Sequence, residues 1–216
     1  PPLPPPAVRP AALGPTAGPP GAPRLPASRT RAGRALLLTF DDGPDPRYTP
    51  GILALLEAYD ARAVFCVVGQ EALEHPDLVR AIVAAGHDLC NHSTHHDMTL
   101  ATRPGPVIRA DLVRTQAILR GITGGVVPRL MRAPGGRWSP TLVAEAEALS
   151  LEPLSWSVDS RDWSKPGLRE IVARVLGDAQ PGGVVLMHDG GGDRSRTLVA
   201  LPFLLRRLSQ LGYAFR

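Results

Sequence analysis

Two adjacent carboxylates, Asp41 and Asp42, directly follow an apolar run and precede Gly43 and Pro44. Neighbouring carboxylates repel each other unless a cation or hydrogen-bond donors lie between them. Asp-Gly-Pro is also ordinary turn chemistry, so the segment taken alone favours a solvated turn over a functional site. Its role therefore depends on which other groups the fold brings close to it.

A histidine-rich segment, Asn-His-Ser-Thr-His-His over 91–96, is the second candidate. His92 and His96 are four residues apart, and one helical turn would place both imidazoles on the same side. Two neutral imidazoles and one carboxylate form a common three-ligand set for a catalytic divalent metal, with a position left for water or substrate. Together with the Asp pair, the segment favours a metal site over two surface histidines. His95 could replace either neighbour, but its spacing is less favourable.

A third segment, Met-Arg-Ala-Pro-Gly-Gly-Arg-Trp over 131–138, places Arg132 at a predicted strand end. Its permanent cation suits a carboxylate partner, and the bare backbone N–H groups of the following glycines suit an oxyanion. A structural arginine paired with a buried acid explains this segment equally well.

Two further segments carry isolated polar groups. Trp156 stands close to Asp159 and Asp162, and an aromatic side chain beside acidic residues offers an apolar platform for a sugar, although a core position suits Trp156 better. His188 follows a short apolar run. Such a histidine is usually structural, but beside a metal site it is a candidate general acid or base.

The elements that must position these groups alternate in type from Arg34 onward. Short apolar runs predict strands at 35–40, 63–68, 87–91, 128–132, 152–158 and 183–187. Helices are predicted at 49–59, 76–85, 106–120, 139–149, 168–178 and 197–211, with Thr49 as an N-cap and Gly86 and Gly121 at helix C-termini. This alternation predicts a mainly parallel sheet covered by helices, either a barrel or a doubly wound sheet.

Every unusual polar cluster follows the C-terminal end of a predicted strand. In parallel α/β folds those ends share one face, and active sites form there. The pattern therefore predicts that the carboxylates, the histidines and Arg132 meet at one face of the sheet.

Composition limits the remaining possibilities. Of the 24 prolines in the 216 residues, 11 fall within 1–26, so we expect residues 1–34 to form a disordered tail and residues 35–216 a single catalytic domain.

No apolar run approaches the ~20 residues of a membrane span, and we expect an export signal to have been removed. The net charge of +4 comes without a basic and aromatic patch, so nucleic acid is not expected as a partner.

The two cysteines, Cys66 and Cys90, lack the Cys-x-x-Cys spacing of zinc ribbons and redox motifs. Neighbouring strands could bring them within bridging distance, and two buried free thiols are equally compatible with the sequence.

Five motifs occur in a fixed order along the chain. They are Thr-Phe-Asp-Asp-Gly-Pro (39–44), His-Ser-x-x-His (92–96), Arg-x-Pro-x-Gly (132–136), Asp-x-x-Asp-Trp (159–163) and Leu-x-His (186–188). Together they resemble the polysaccharide deacetylases of carbohydrate esterase family 4, over roughly 35–216. The resemblance implies a distorted, incomplete (β/α) barrel.

The resemblance also implies a catalytic role for four residues. Asp41 matches the general base that deprotonates the attacking water, and Arg132 matches the arginine that orients this base. His188 matches the acid that protonates the leaving group, and Asp162 matches its carboxylate partner.

A second set of matches concerns binding. Asp42, His92 and His96 match a metal triad, with zinc as the expected ion and Co²⁺ or another divalent ion as the alternative. Trp163 and Leu186 match walls of the acetyl pocket. Gly135 replaces an aromatic residue common in the family, and its N–H could still hold an oxyanion. Either Trp138 compensates for the missing wall or the acceptor cleft is more open.

The expected function is metal-dependent removal of acetyl groups from N-acetylated sugars of chitin oligomers or peptidoglycan. One alternative is an O-acetyl esterase acting on acetylxylan, and another is a catalytically silent cell-wall carbohydrate-binding module. An oxygen-activating iron enzyme is disfavoured because the chain does not read as an all-β fold. A secreted or cell-wall-associated monomer is expected.

Overall fold

The computed structural model describes residues 34–216, which form eight strands and seven α-helices. The strands are β1 (Ala35–Asp41), β2 (Ala63–Val67), β3 (Asp88–Asn91), β4 (Leu130–Met131), β5 (Glu152–Pro153), β6 (Val158–Asp159), β7 (Val184–His188) and β8 (Ala214–Phe215). The helices are α1 (Thr49–Ala58), α2 (Gly69–Glu74), α3 (Pro76–Ala84), α4 (Gly105–Thr123), α5 (Pro140–Ala148), α6 (Leu168–Asp178) and α7 (Ser195–Gln210).

All eight strands join one parallel sheet in the order β5-β4-β3-β2-β1-β7-β6, and β8 pairs with the start of β1. The sheet curls into a half-barrel with the helices around it, which confirms the predicted distorted, incomplete barrel. Because β1 lies at the centre, its C-terminal end is within reach of the loops from both halves of the sheet. The predicted tail over 1–34 lies, apart from Arg34, outside the described residues, and the domain boundary stays a prediction.

Side chains of β1 alternate between the two faces of the sheet, as the period of a strand requires. Leu36, Leu38 and Phe40 pack outward into the main hydrophobic core, which fills the space between the sheet and the helices. Thr39 and Asp41 face inward, where both contact Arg132. The inner face therefore carries polar groups among apolar ones, and the outer face holds the fold together.

Three apolar clusters cover the sheet. The largest includes Ile52 of α1, Ile171 of α6 and Leu201 of α7. A second cluster lies beneath α4 and α5, and a small third cluster, which contains Cys66 and Cys90, lines the interior of the half-barrel.

The predicted strand over 152–158 is wrong, because the structure divides it. β5 pairs with β4 at one edge of the sheet and β6 pairs with β7 at the other, so residues 154–157 bridge the opening between the two edges. The carbonyls of Leu154 and Ser155 accept hydrogen bonds from Arg132 instead of from a neighbouring strand. The apolar pattern over 152–158 does not reveal this division, because both halves of the segment contain apolar residues.

Other local predictions also need correction. Gly121 lies inside α4, which ends at Gly124, where φ is 70°. Thr49 is the first residue of α1 rather than its N-cap, and its hydroxyl accepts a hydrogen bond from the Asp45 N–H. The short elements α2 and β8 were not predicted, because they are too brief to show a periodic pattern.

Cys66 and Cys90 occupy opposite positions in the register of β2 and β3, and both are buried free thiols. Burial raises the pKa of the Cys66 thiol well above its ordinary value. Among residues 34–216, no helix combines the length and apolarity needed to cross a bilayer.

Leu201→Ala is expected to reduce the free energy of unfolding by about 2–5 kcal/mol, because it leaves a cavity in the core between α7 and the sheet. Urea unfolding monitored by circular dichroism measures the change. The control is Val199→Ala on the same helix, whose side chain is 52% exposed and whose effect should stay within about 0.5 kcal/mol. Equal losses in both variants would contradict this description of the core.

Candidate active site

Asp41 and Asp42 leave the end of β1 in different directions. Asp41 ends the strand with its side chain directed to the barrel interior, where the Arg132 Nη1 donates to its Oδ1 at 2.6 Å. Asp42 has a φ of 72°, in the left-handed region, and its Oδ1 faces two histidines. The turn therefore separates the two carboxylates and gives each its own cationic or hydrogen-bonding partners.

Arg132 is completely buried at the end of β4. Besides Asp41, its guanidinium donates to the Thr39 hydroxyl at 2.8 Å and to the carbonyls of Leu154 and Ser155 at 3.1 and 3.2 Å. Burial disfavours the charged form, but the Asp41 carboxylate outweighs it and holds the pKa of Arg132 above its usual range. Arg132 thus supplies both the positive charge that faces Asp41 and the hydrogen bonds that hold the carbonyls of Leu154 and Ser155.

Asp42, His92 and His96 form a cluster whose ligand atoms all lie within 4.8 Å of one another. The Asp42 Oδ1 is 3.3 Å from His92 Nε2 and 3.2 Å from His96 Nε2. With His92 neutral, its Nδ1 donates to the Arg132 carbonyl at 2.8 Å and its Nε2 lone pair points towards the carboxylate. One oxygen and two imidazole nitrogens converge, so the residues present fit a divalent cation.

The histidines converge through a loop, so the predicted helical turn is wrong. Residues 92–97 are not helical, and the chain turns through left-handed conformations at Ser93 (φ 65°) and His96 (φ 51°). His95 is exposed and lies outside the cluster, in agreement with its less favourable spacing.

The charges around the triad shift its pKa values in different directions. In the metal-free protein burial favours the neutral form of Asp42, but the hydrogen bond donated by protonated His92 and the histidine charges outweigh it and hold the pKa of Asp42 well below its usual range. Burial would lower the pKa of His92, but Asp41 and Asp42 raise it overall, whereas burial and the His92 charge lower the pKa of His96. Since a ligand imidazole must be neutral, metal affinity should fall as the pH becomes acidic.

His188 ends β7 and pairs with Asp162, whose carboxylate is buried. The His188 Nδ1 lies 2.7 Å from the Asp162 Oδ1, while the Asp162 Oδ2 accepts from the His188 N–H at 2.9 Å and from the Thr197 hydroxyl at 2.7 Å. Burial favours neutral His188, but the Asp162 charge and hydrogen bond raise the pKa of His188 to about 9. His188 is therefore protonated at neutral pH, with Nδ1 used by Asp162.

A cavity of about 300 Å³ lies where these groups meet. Eight of the residues singled out from the sequence line it, namely Asp41, Asp42, His92, His96, Gly135, Trp163, Leu186 and His188. Arg132 and Asp162 lie behind Asp41 and His188, which they contact directly. The structure thus brings the predicted residues to one face at the carboxyl ends of the strands.

Met98 forms a wall of the cavity beside Gly135. A Cβ on Gly135 would lie 2.9 Å from the Met98 Sδ and would also collide with its methyl group. Trp138 packs into the apolar cluster beneath α5 and does not line the cavity, so the expected compensation by Trp138 is wrong.

Further groups surround the cavity besides the residues that the resemblance matches to roles. Trp156 and Asp159 line it, although a core position was preferred for Trp156. Asp189 is buried next to His188 and accepts from the Thr49 hydroxyl at 2.6 Å; burial raises the pKa of Asp189 to about 7. Arg194 is buried behind Asp42. The contact of Arg194 with Asp42 joins separate loops of the fold, and no local spacing signals it.

The comparisons with known proteins agree with this geometry. The family model described as polysaccharide deacetylase matches residues 28–154. A chitooligosaccharide deacetylase of Bradyrhizobium sp. (strain ANU 289) is 38% identical over 191 residues, which cover 83% of this chain and 87% of the relative. A peptidoglycan-N-acetylglucosamine deacetylase of Bacillus cereus is 35% identical over 184 residues, with 84% of this chain and 85% of the relative covered.

Solved structures also share the fold. A peptidoglycan N-acetylglucosamine deacetylase in complex with a hydroxamate-type benzamide superposes with a TM-score of 0.82 at 31% identity, and the match covers 86% of each chain. A family 4 pseudoenzyme from Bacillus anthracis superposes with a TM-score of 0.79 at 28% identity, with 85% of this chain and 63% of that chain covered. The fold alone therefore does not distinguish an active enzyme from an inactive relative.

Asp162→Asn is expected to lower the His188 pKa from about 9 towards 6.5, because the carboxylate charge is removed. The native pair should stabilise the fold fully below pH 6.5 and lose this contribution as the pH rises through about 9. NMR titration of the His188 ring in the metal-free protein measures the first effect, and unfolding across this pH range measures the second. Asp77→Asn, at an exposed and distant carboxylate, is the control; a His188 pKa that stays at 9 in the Asp162 variant would contradict the assignment.

Proposed function

We propose that this chain, which belongs to the polysaccharide deacetylase family, is an active, metal-dependent hydrolase that removes acetyl groups from N-acetylated sugars of chitin oligomers or peptidoglycan. One observation carries the proposal: a single cavity is lined by a triad that fits a divalent cation, by Asp41 and by His188. Each of the two reactive side chains is held by a buried partner of opposite charge. We propose these two substrate classes because the chain is similar to chitooligosaccharide and peptidoglycan deacetylases.

Asp42, His92 and His96 would hold the cation, with Zn²⁺ as the proposed ion and Co²⁺ as an alternative. Their mixed oxygen and nitrogen donor set suits either ion. The chemistry that a divalent cation supplies in such a site is Lewis acidity, which makes water a stronger acid and a carbonyl a stronger electrophile.

Asp41 is the proposed general base. Its Oδ1 is occupied by Arg132, while its Oδ2 lies 3.7 Å from His92 Nε2 and therefore beside the triad. Arg132 compensates the charge of the Asp41 carboxylate and fixes its rotamer. The free oxygen is placed to accept a proton from the attacking water.

The Gly135 N–H is the proposed donor to the oxyanion that forms when the acetyl carbon becomes tetrahedral. Gly135 lies at the cavity with a φ of 57°, a conformation that glycine adopts without steric cost. A rigid backbone donor of this kind stabilises developing negative charge without reorganisation.

His188 is the proposed general acid. Because its Nδ1 is bonded to Asp162, its Nε2 is the nitrogen that can donate a proton to the departing sugar nitrogen. The raised pKa keeps this proton in place at neutral pH, and a departing amine is basic enough to take it.

Apolar side chains around the cavity would hold the sugar and its acetyl group. Leu186 is buried at the cavity, whereas Trp163 is 51% exposed at its rim. We propose Leu186 and Trp163 as walls of the acetyl pocket; the exposed indole of Trp163 also offers an apolar platform to the sugar ring.

The complete set of reactive groups favours an enzyme over a silent binding module. A binding module would need the apolar walls but not the base, the acid and the metal triad together. We further propose a secreted or cell-wall-associated monomer, since the polymers named above lie outside the cytoplasm; detection of the mature protein only in the cytosol would contradict this location.

Two substitutions separate metal binding from proton transfer. Asp41→Asn should retain one Zn²⁺ per chain but lose about 10²–10⁴-fold in acetate release, because the base is removed while the triad remains. His92→Ala should lose both the ion and the activity. Equilibrium dialysis and an acetate assay measure the two properties.

His95→Ala is the matched control, because His95 is an exposed neighbour outside the triad. It should retain both the ion and the activity. Full metal-dependent activity in His92→Ala would overturn the triad.

The substrate class is tested by acetate release from chitin oligomers, peptidoglycan and acetylxylan at defined Zn²⁺ or Co²⁺ loading. We expect release from at least one N-acetylated polymer, its loss on chelation and its return on adding metal. Release from acetylxylan alone would identify an O-acetyl esterase, and binding without release from any polymer would identify a silent module.

A further inference from the structure

Arg194 lies immediately behind the proposed metal triad. It is 4% exposed and occupies the N-cap position of α7. Its Nε donates to the Gly190 carbonyl at 2.6 Å and its Nη2 to the Gly191 carbonyl at 3.0 Å. The guanidinium is thus locked onto the turn that follows His188 and Asp189.

The two oxygens of Asp42 have different surroundings. Oδ1 faces both triad histidines, at 3.3 and 3.2 Å from their Nε2 atoms. Oδ2 faces the Arg194 Nη2 at 3.9 Å. At this distance Arg194 attracts the carboxylate without a hydrogen bond, and it holds Oδ2 on the side away from the histidines.

The glycine turn restrains Asp42 sterically from the same side. A Cβ on Gly191, where φ is +68°, would lie 2.9 Å from the Asp42 Cγ and would collide with its Oδ2. A Cβ on Gly190 would lie 2.7 Å from the Gly43 N. The backbone of the turn therefore touches both the side chain of Asp42 and the peptide that follows it.

We propose that Arg194 and the Gly190–Gly191 turn position Asp42 so that it binds the divalent cation through Oδ1 alone. The inference rests on the proposed metal triad. A carboxylate that could rotate freely would offer both oxygens to the ion, and the second would occupy a position needed by water or substrate. Arg194 is in this sense a positioning residue, which acts through Asp42 and touches no reacting atom.

The proposal also explains how two adjacent carboxylates coexist in a buried site. Arg132 contacts Asp41 at 2.6 Å and Arg194 contacts Asp42 at 3.9 Å, so each carboxylate has its own buried guanidinium. The longer contact suits a ligand, since the lone pairs of Asp42 are not consumed by hydrogen bonds to arginine.

The first test replaces Arg194 in the full chain. Arg194→Met should weaken Zn²⁺ binding by the metal-free protein about 10–100-fold, the range typical of lost contacts behind a metal ligand, and Arg194→Lys should recover part of the loss. Competition with a chromogenic chelator measures the affinity without reference to activity. Arg207→Met, at an exposed position on the same helix, is the control and should bind Zn²⁺ as the native protein does.

The second test leaves the arginine intact. Gly191→Ala should also weaken Zn²⁺ binding, because its new methyl group displaces Asp42. Gly192→Ala is the matched control: Gly192 also has a positive φ, 139°, but its Cβ would meet only Arg194, at 3.8 Å. If the strain of alanine at a positive φ, rather than contact with Asp42, weakened Zn²⁺ binding, both variants would be affected equally.

Co²⁺ absorption reports the coordination itself. If Asp42 becomes bidentate in Arg194→Met or Gly191→Ala, the coordination number rises and the visible bands should lose intensity. Unchanged Co²⁺ bands in both variants would overturn the proposal that Arg194 and the glycine turn confine Asp42 to ligation through Oδ1.

Zn²⁺ affinity equal to or tighter than native in Arg194→Met, or equal weakening in Gly191→Ala and Gly192→Ala, would overturn the positioning role. Failure of the proposed function would be seen differently: the native protein would bind no more Zn²⁺ than the His92→Ala variant does. Thermal unfolding of each metal-free variant shows whether it is folded. If Arg194→Met does not fold, Gly191→Ala tests the positioning role by itself.

Discussion

The buried contact between Arg132 and Asp41 is the interaction on which the rest of the site depends. Removing two charges from water costs several kcal/mol per ion, so the pair is tolerable only with short contacts and satisfied hydrogen bonds. Arg132 supplies these through β1 and through the segment that bridges the opening of the sheet. Its carbonyl in turn accepts from His92, so one residue connects the proposed base, a proposed metal ligand and the closure of the half-barrel.

A second constraint is the proximity of Asp41 and Asp42, which would repel each other if both pointed into one cavity unpaired. The strand directs Asp41 inward to one guanidinium, and the left-handed turn at Asp42 directs the next carboxylate to the histidines. Two chemically identical side chains thereby acquire different surroundings, which is the condition for different roles.

The surroundings of His188, the proposed acid, follow the same rule. Asp162 is saturated by the His188 ring, the His188 N–H and the Thr197 hydroxyl, and this fixes both the orientation and the charge of the histidine. The half-barrel is also present in a family pseudoenzyme, so the fold alone does not imply activity. The fold brings the polar side chains to one face of the sheet, and the buried partners Arg132 and Asp162 hold Asp41 and His188 in place there.

The sequence by itself determined the fold class and the face of the site, because alternating apolar runs and the polar groups after them are local patterns that a parallel sheet translates into position. It also identified Asp41, Asp42, His92, His96 and His188 as groups that would meet. Only the tertiary structure decided that residues 154–157 bridge the two sheet edges, that a loop rather than a helix joins His92 to His96, and that Met98 covers Gly135. Arg194 shows the reason: it is 152 residues from Asp42 in the chain, and a contact of that kind depends on how separate loops pack, which no spacing records.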